Sequence, residues 1–185
     1  MRIRVVATVA LITLAVLVIY VFLTAGFVEE LEVEGFREDD GVLVAGLYDN
    51  GHNIVAGIHV ESIDPEGSPS TLLRVEMWHA KGTRLDSLSM AFESSLQFEV
   101  FLGLDRSSPL EFRRSEEGGA VVFSAADLGF EGRRDVILEF YVTPALAQPL
   151  KLNVTFEIAI MYEEGIVGFH RMEAEAVATL TMKRE

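Results

Sequence analysis

Four histidines are the side chains of this protein best suited to site chemistry: His52, His59, His79 and His170. Imidazoles brought together from adjacent strands would bind zinc or copper, with Met77 or Met172 as a soft extra ligand for copper. His79 and His170 fall on apolar faces near strand ends, which makes them the metal candidates. His59 shares a polar face with Glu61, and His52 sits in a turn-prone stretch. No pair has HxH or HxxxH spacing, so the sequence alone does not bring two into one site. Isolated rim and surface histidines are the plainer reading, and no cofactor is expected.

The acidic doublets Asp39-Asp40, Glu116-Glu117 and Glu163-Glu164 suggest carboxylate chemistry. Adjacent strand residues point to opposite faces, however, so such doublets make poor catalytic pairs. The run from Arg37 to Gly41 (REDDG) lacks the spacing of an EF-hand loop. There is no G-x-S-x-G elbow to present a nucleophilic serine. With no cysteine in the chain, disulfides, thiolate metal sites and cysteine nucleophiles are excluded. The sequence therefore predicts no enzyme. Asn153-Val154-Thr155 is a glycosylation sequon, with Asn153 as its acceptor. Trp78, on the face of Arg74 and Glu76, could join loop carboxylates in a glycan-binding surface.

The elements that would position these residues are strands. Val42–Tyr48 and Asn53–Glu61 flank Asp49-Asn50-Gly51-His52, a pattern that predicts a hairpin. Leu72–His79 alternates Leu73, Val75 and Met77 against Arg74 and Glu76. Leu96–Leu102 puts Leu96, Phe98, Val100 and Leu102 on one face. Ala120–Ser124 and Val136–Thr143 are further strands. Leu150–Tyr162 and Ile166–Met182 form long antiparallel partners, the second with His170, Met172, Ala174, Ala176, Ala178, Leu180 and Met182 on one side. From Gly103 to Asp135 the pattern is least regular and includes a helix-like stretch, Ser124–Leu128. About nine or ten short strands predict an all-β, antiparallel β-sandwich, immunoglobulin-like or related.

Before the strands comes a different kind of segment. From Val5 to Val28 there are 24 residues without a charge. As a helix they would measure about 36 Å, against a hydrocarbon core of roughly 30 Å. The run exceeds the h-region of a cleaved signal peptide, although Thr24-Ala25-Gly26 offers small residues to a peptidase. Arg2 and Arg4 precede it, and Glu29, Glu30, Glu32 and Glu34 follow it. The expectation is a cytoplasmic N-terminus (1–4), a transmembrane signal anchor (5–28) and an extracytoplasmic domain (29–185), single-pass at the cell membrane.

All 29 acidic residues lie beyond Val28, against 13 basic ones, so that domain carries a net charge of −16. Such a field repels phosphate backbones, which argues against nucleic acid as a partner. The expected function is a non-catalytic, membrane-anchored accessory subunit or surface interaction module with a protein partner. The alternative is an extracytoplasmic ligand-binding domain, taking metal through histidine or taking a glycan.

Overall fold

The computed structural model describes residues 11–17, 19, 28–105, 111–131, 136–146, 148–164 and 168–182. Twelve strands are present among them: β1 (Val28–Glu30), β2 (Glu32–Asp39), β3 (Val42–Tyr48), β4 (Ile54–Ile63), β5 (Thr71–His79), β6 (Thr83–Glu93), β7 (Phe98–Asp105), β8 (Arg113–Glu117), β9 (Ala120–Glu131), β10 (Val136–Pro144), β11 (Leu150–Glu164) and β12 (Gly168–Met182). They form two six-stranded sheets. Sheet A has the order β1-β12-β11-β6-β9-β8, and sheet B the order β2-β3-β4-β5-β10-β7. Every pairing is antiparallel except β1 with β12. The all-β expectation is met, with more strands than alternation suggested. Two sheets of six also depart from the roughly seven to nine strands of an immunoglobulin domain.

Alternation places the core between the sheets. Leu73, Val75 and Met77 of β5 and Leu152, Val154, Phe156 and Ile158 of β11 are buried, as are Met172, Ala174, Ala176 and Ala178 of β12. Aromatic rings tie the layers together. Phe92 and Phe123 of sheet A lie 5.0 and 5.2 Å, centroid to centroid, from Phe140 of sheet B. Phe36 of β2 meets Phe156 of β11 at 5.8 Å.

The turns follow backbone chemistry. Asp40 and Gly41 both have positive φ (48° and 83°) and close the β2–β3 hairpin as a two-residue turn. Gly118 and Gly119 (59° and 94°) do the same between β8 and β9. The stretch Arg37–Gly41 considered for calcium is thus strand end and turn. At the β3–β4 turn the Asp49 carboxylate accepts hydrogen bonds from the backbone N–H of Gly51 (2.9 Å) and Asn53 (2.8 Å) and from the Asn53 amide. This is the expected hairpin.

Three expectations are corrected. Ser124–Leu128 is strand, inside β9, because β6 pairs with it from Phe123↔Met90 to Ala126↔Ser87 and that ladder overrides local helix propensity. The irregular stretch after Gly103 also holds β8. Sequence alternation gave no sign of β6, because a bulge between Leu85 and Ser87 breaks its period; Leu85, Leu88, Met90 and Phe92 still turn inward. Finally, Val28 belongs to β1, opposite Arg171, rather than to a membrane helix. Most of the expected span 5–28 lies outside the described residues. Residues 11–17 and 19 are helical, and among the described residues no helix is long and apolar enough to cross a membrane.

Candidate interaction surfaces

The two metal candidates have separate settings. His79 ends β5 inside the sandwich and is buried. The Thr83 hydroxyl donates its one proton to the Ala80 carbonyl (2.7 Å), so the 2.9 Å contact with His79 Nδ1 requires the ring to donate there. His79 therefore braces the β5–β6 turn. His170 lies on β12 with its Nε2 2.9 Å from Glu29 of β1 and its ring against Tyr162. Glu29 also accepts a hydrogen bond from the Asn50 backbone N–H (3.1 Å), linking sheet A to the β3–β4 turn. His52 pairs with Glu32 at 3.3 Å, and His59 stands opposite Glu76. Among the described residues no three His, Asp or Glu side chains gather as a metal site requires.

Two carboxylate-linked groups titrate away from their ordinary values. Hydrogen bonds from the Asn53 side chain and backbone hold the Asp49 carboxyl below the usual aspartate range. Donation from the Tyr48 hydroxyl to Glu34 (3.1 Å) pushes that phenol up.

Asn153 lies on the outward face of β11 and accepts a hydrogen bond from Thr179 of β12 (3.0 Å). The outer face of sheet A around it carries small residues, Ser87, Ser89, Ala91, Thr155 and Ala159, beside Val177, Glu157 and Glu175. A shallow groove of about 580 Å³ crosses it between Ser89, Glu157 and Glu173.

The outer face of sheet B has another character. Cross-strand register brings Leu72, Trp78, Ile137, Tyr141 and Phe101 to one side. Phe101 is 55% and Tyr141 41% exposed. The Trp78 indole lies across Gly57, where an added Cβ would sit 2.5 Å from Nε1. Tyr141 covers Gly103 likewise, so the glycines let the rings lie flat. Arg74 is held in the middle between Glu139 (3.2 Å) and Glu61 (3.9 Å). Alternation did place Trp78 on the face of Arg74 and Glu76. The other aromatic rings on that face, Tyr141 and Phe101, come from two other strands, and their order cannot be read from spacing.

No protein-family model matches the chain, and no curated protein matches its sequence. Among solved structures, similarity is found to a cohesin module from the Clostridium perfringens ATCC13124 family 33 glycoside hydrolase. It has 17% identity, covers 70% of this chain and 94% of that one, and has a TM-score of 0.38. A non-cellulosomal cohesin from the hyperthermophilic archaeon Archaeoglobus fulgidus matches at 16% identity, over 65% and 91%, with 0.37. The yeast delta-COP-I mu-homology domain matches at 8% identity, over 64% and 54%, with 0.38. At these TM-scores the likenesses carry no argument. They show no family, and the fold rests on the strand pairing described above.

Proposed function

We propose that this protein is a non-catalytic interaction module, held at a membrane by its N-terminal segment, whose sheet B face docks a protein partner. The observation that carries the reading is the apolar surface of Leu72, Trp78, Ile137, Tyr141 and Phe101 on an otherwise acidic domain. Aromatic and aliphatic side chains gathered on one face, with charges around them, are what a contact surface presents. The Arg74 ion pairs and Glu76 divide this face into two apolar parts, Trp78 with Ile137 and Leu72 with Tyr141 and Phe101, so the fitting partner brings apolar side chains to both and basic ones to Glu61, Glu76 and Glu99.

The anchor is supported by the uncharged run 5–28 and its flanks. In its helical residues Leu11, Ile12, Leu14, Val16, Leu17 and Ile19 are all more than half exposed, so nothing in the sandwich covers them. Lysine and arginine bias favours an extracytoplasmic domain.

Gentle detergent extraction from native membranes, followed by native gel and intact-mass analysis, tests the reading. The expected result is an intact N-terminus and co-migration with a defined partner. In the doubly substituted L72D/Y141D form the partner is lost while the far-UV spectrum is kept. A solitary species cleaved near Gly26 would remove the anchor and the accessory role together. A partner retained by L72D/Y141D would move the contact off sheet B.

A further inference from the structure

The free edges of the sandwich carry an inference independent of the docking face. Among the described residues nothing pairs with the outer edges of β1, β2, β7 or β8. On one side, β1 is only three residues long, and β2 is bulged between Glu34 and Arg37 and densely charged. Both features blunt an edge against further pairing. The other side, formed by β7 and β8, has a different design. Each of its strands can face an antiparallel copy of itself with no like charges directly opposite.

In β7 the regular stretch Phe98–Leu102 (FEVFL) is centred on Val100 and carries one charge, Glu99. It ends where a bulge shifts the register after Leu102. An antiparallel copy centred there sets Phe98 opposite Leu102 of the second copy, and Glu99 opposite Phe101 of the second copy. The inward-facing members, Phe98 and Leu102, are only partly buried against the core. In β8, Arg113–Glu117 (RRSEE) is charge-complementary to its own reverse about Ser115. An antiparallel copy sets Arg113 opposite Glu117 of the second copy, and Arg114 opposite Glu116 of the second copy. No like charges meet directly. Among the described residues of one chain, Arg114 pairs with Glu116 (2.9 Å).

Arg114 and Glu116 face Phe98, Glu99 and Phe101 across one open cleft of about 650 Å³. The two edges thus lie side by side, and a two-fold axis perpendicular to the sheets, passing Val100 and Ser115, would serve both strands. We infer that β7 and β8 together form an isologous interface for a second copy of this chain, which joins two sandwiches edge to edge. Opposite charges directly across strands favour the match, and like charges there would oppose it.

Because the chain has no cysteine, one introduced thiol reports its own position. In the full-length protein in mild detergent, Ser115→Cys should give a reducible covalent dimer on gentle oxidation. Thr179→Cys, on the outer face away from β8, should give at most a tenth as much. Charge reversal supplies the decisive comparison. R113E/R114E and E116R/E117R, each carrying Ser115→Cys, should cross-link about tenfold less than the parent when alone. Mixed, they should recover as a heterodimer, because every facing pair is then opposite in sign. Equal yields at Ser115→Cys and Thr179→Cys would overturn the proposal. So would undiminished cross-linking in either reversed form alone, a mixture that does not recover, or capture of a different protein at Ser115→Cys. If far-UV spectra show a reversed form unfolded, the comparison of the two single cysteines decides.

Discussion

The buried polar side chains His79 and Thr83 do structural work at the β5–β6 turn. Thr83 is the acceptor for the His79 Nδ1 proton while its own proton goes to Ala80. Thr83→Val keeps the volume and removes that acceptor. A buried donor loses its partner, so the variant should unfold about 1–3 kcal/mol more easily in urea. A stability unchanged within about 0.5 kcal/mol would show that the brace is idle. At the β3–β4 turn the sign of the effect follows from Asp49. Its folded-state pKa is depressed, so its contribution is present above the unfolded carboxyl value and is lost as pH falls through the folded one. Asp49→Asn should thus melt below the parent at neutral pH, with the gap closing in acid. Thermal melts from pH 7 to pH 2.5 would show it; a gap constant with pH would refute it. The group is exposed, so the gap is small.

Strands are the scale at which sequence was most informative. Leucine, valine and alanine at every second position of β11 and β12 named the buried face, and all of Met172, Ala174, Ala176, Ala178, Leu180 and Met182 lie on it. Neighbouring positions should therefore respond oppositely to charge. Ala176→Asp places an uncompensated carboxylate between the sheets and should cost about 3–5 kcal/mol. Val177→Asp, on the exposed face, should cost less than about 1 kcal/mol. Chemical denaturation of the pair checks the register, and similar losses would contradict it. Legibility failed where period two was interrupted. The bulge beside Asp86 hid β6, although it turns that carboxylate to Arg171 at 3.3 Å. Strand β8 was hidden for another reason: four of its five residues are charged and its burial is slight. Edge strands with two wet faces leave no hydrophobic stripe to detect.

Over the whole molecule, charge sets the conditions under which copies can meet. Two domains of net charge −16 repel at a distance, whereas the facing pairs of β8 act in contact. Salt screens the first far more than the second. Raising ionic strength from about 0.01 M to about 0.1 M shortens the Debye length from roughly 30 Å to roughly 10 Å, and should strengthen edge-to-edge association. Sedimentation at both salt levels would show this, and a steady weakening with salt would point to an oppositely charged partner instead. The candidate surfaces themselves were only partly legible. Trp78 could be assigned to a face, but the pairing of histidines into a metal site could not be decided by parity. His79 and His170 have matching apolar parity yet belong to different sheets.

Period-two alternation, turn residues and composition were enough to establish an all-β chain, the inward face of most strands, the hairpins at Asp49–His52 and β11–β12, and a strongly acidic surface after an uncharged N-terminal run. These are local or summed properties, and each residue carries its share of them. The tertiary structure alone decided that β7 lies beside β10, that β1 runs parallel to β12, that Trp78, Tyr141 and Phe101 share one face, and that the edges β7 and β8 flank one cleft. Alternation says which side of a strand is buried, but not which strand lies next to it. That choice is made by how all the inward side chains pack at once, a property of the assembled sandwich and of no single segment.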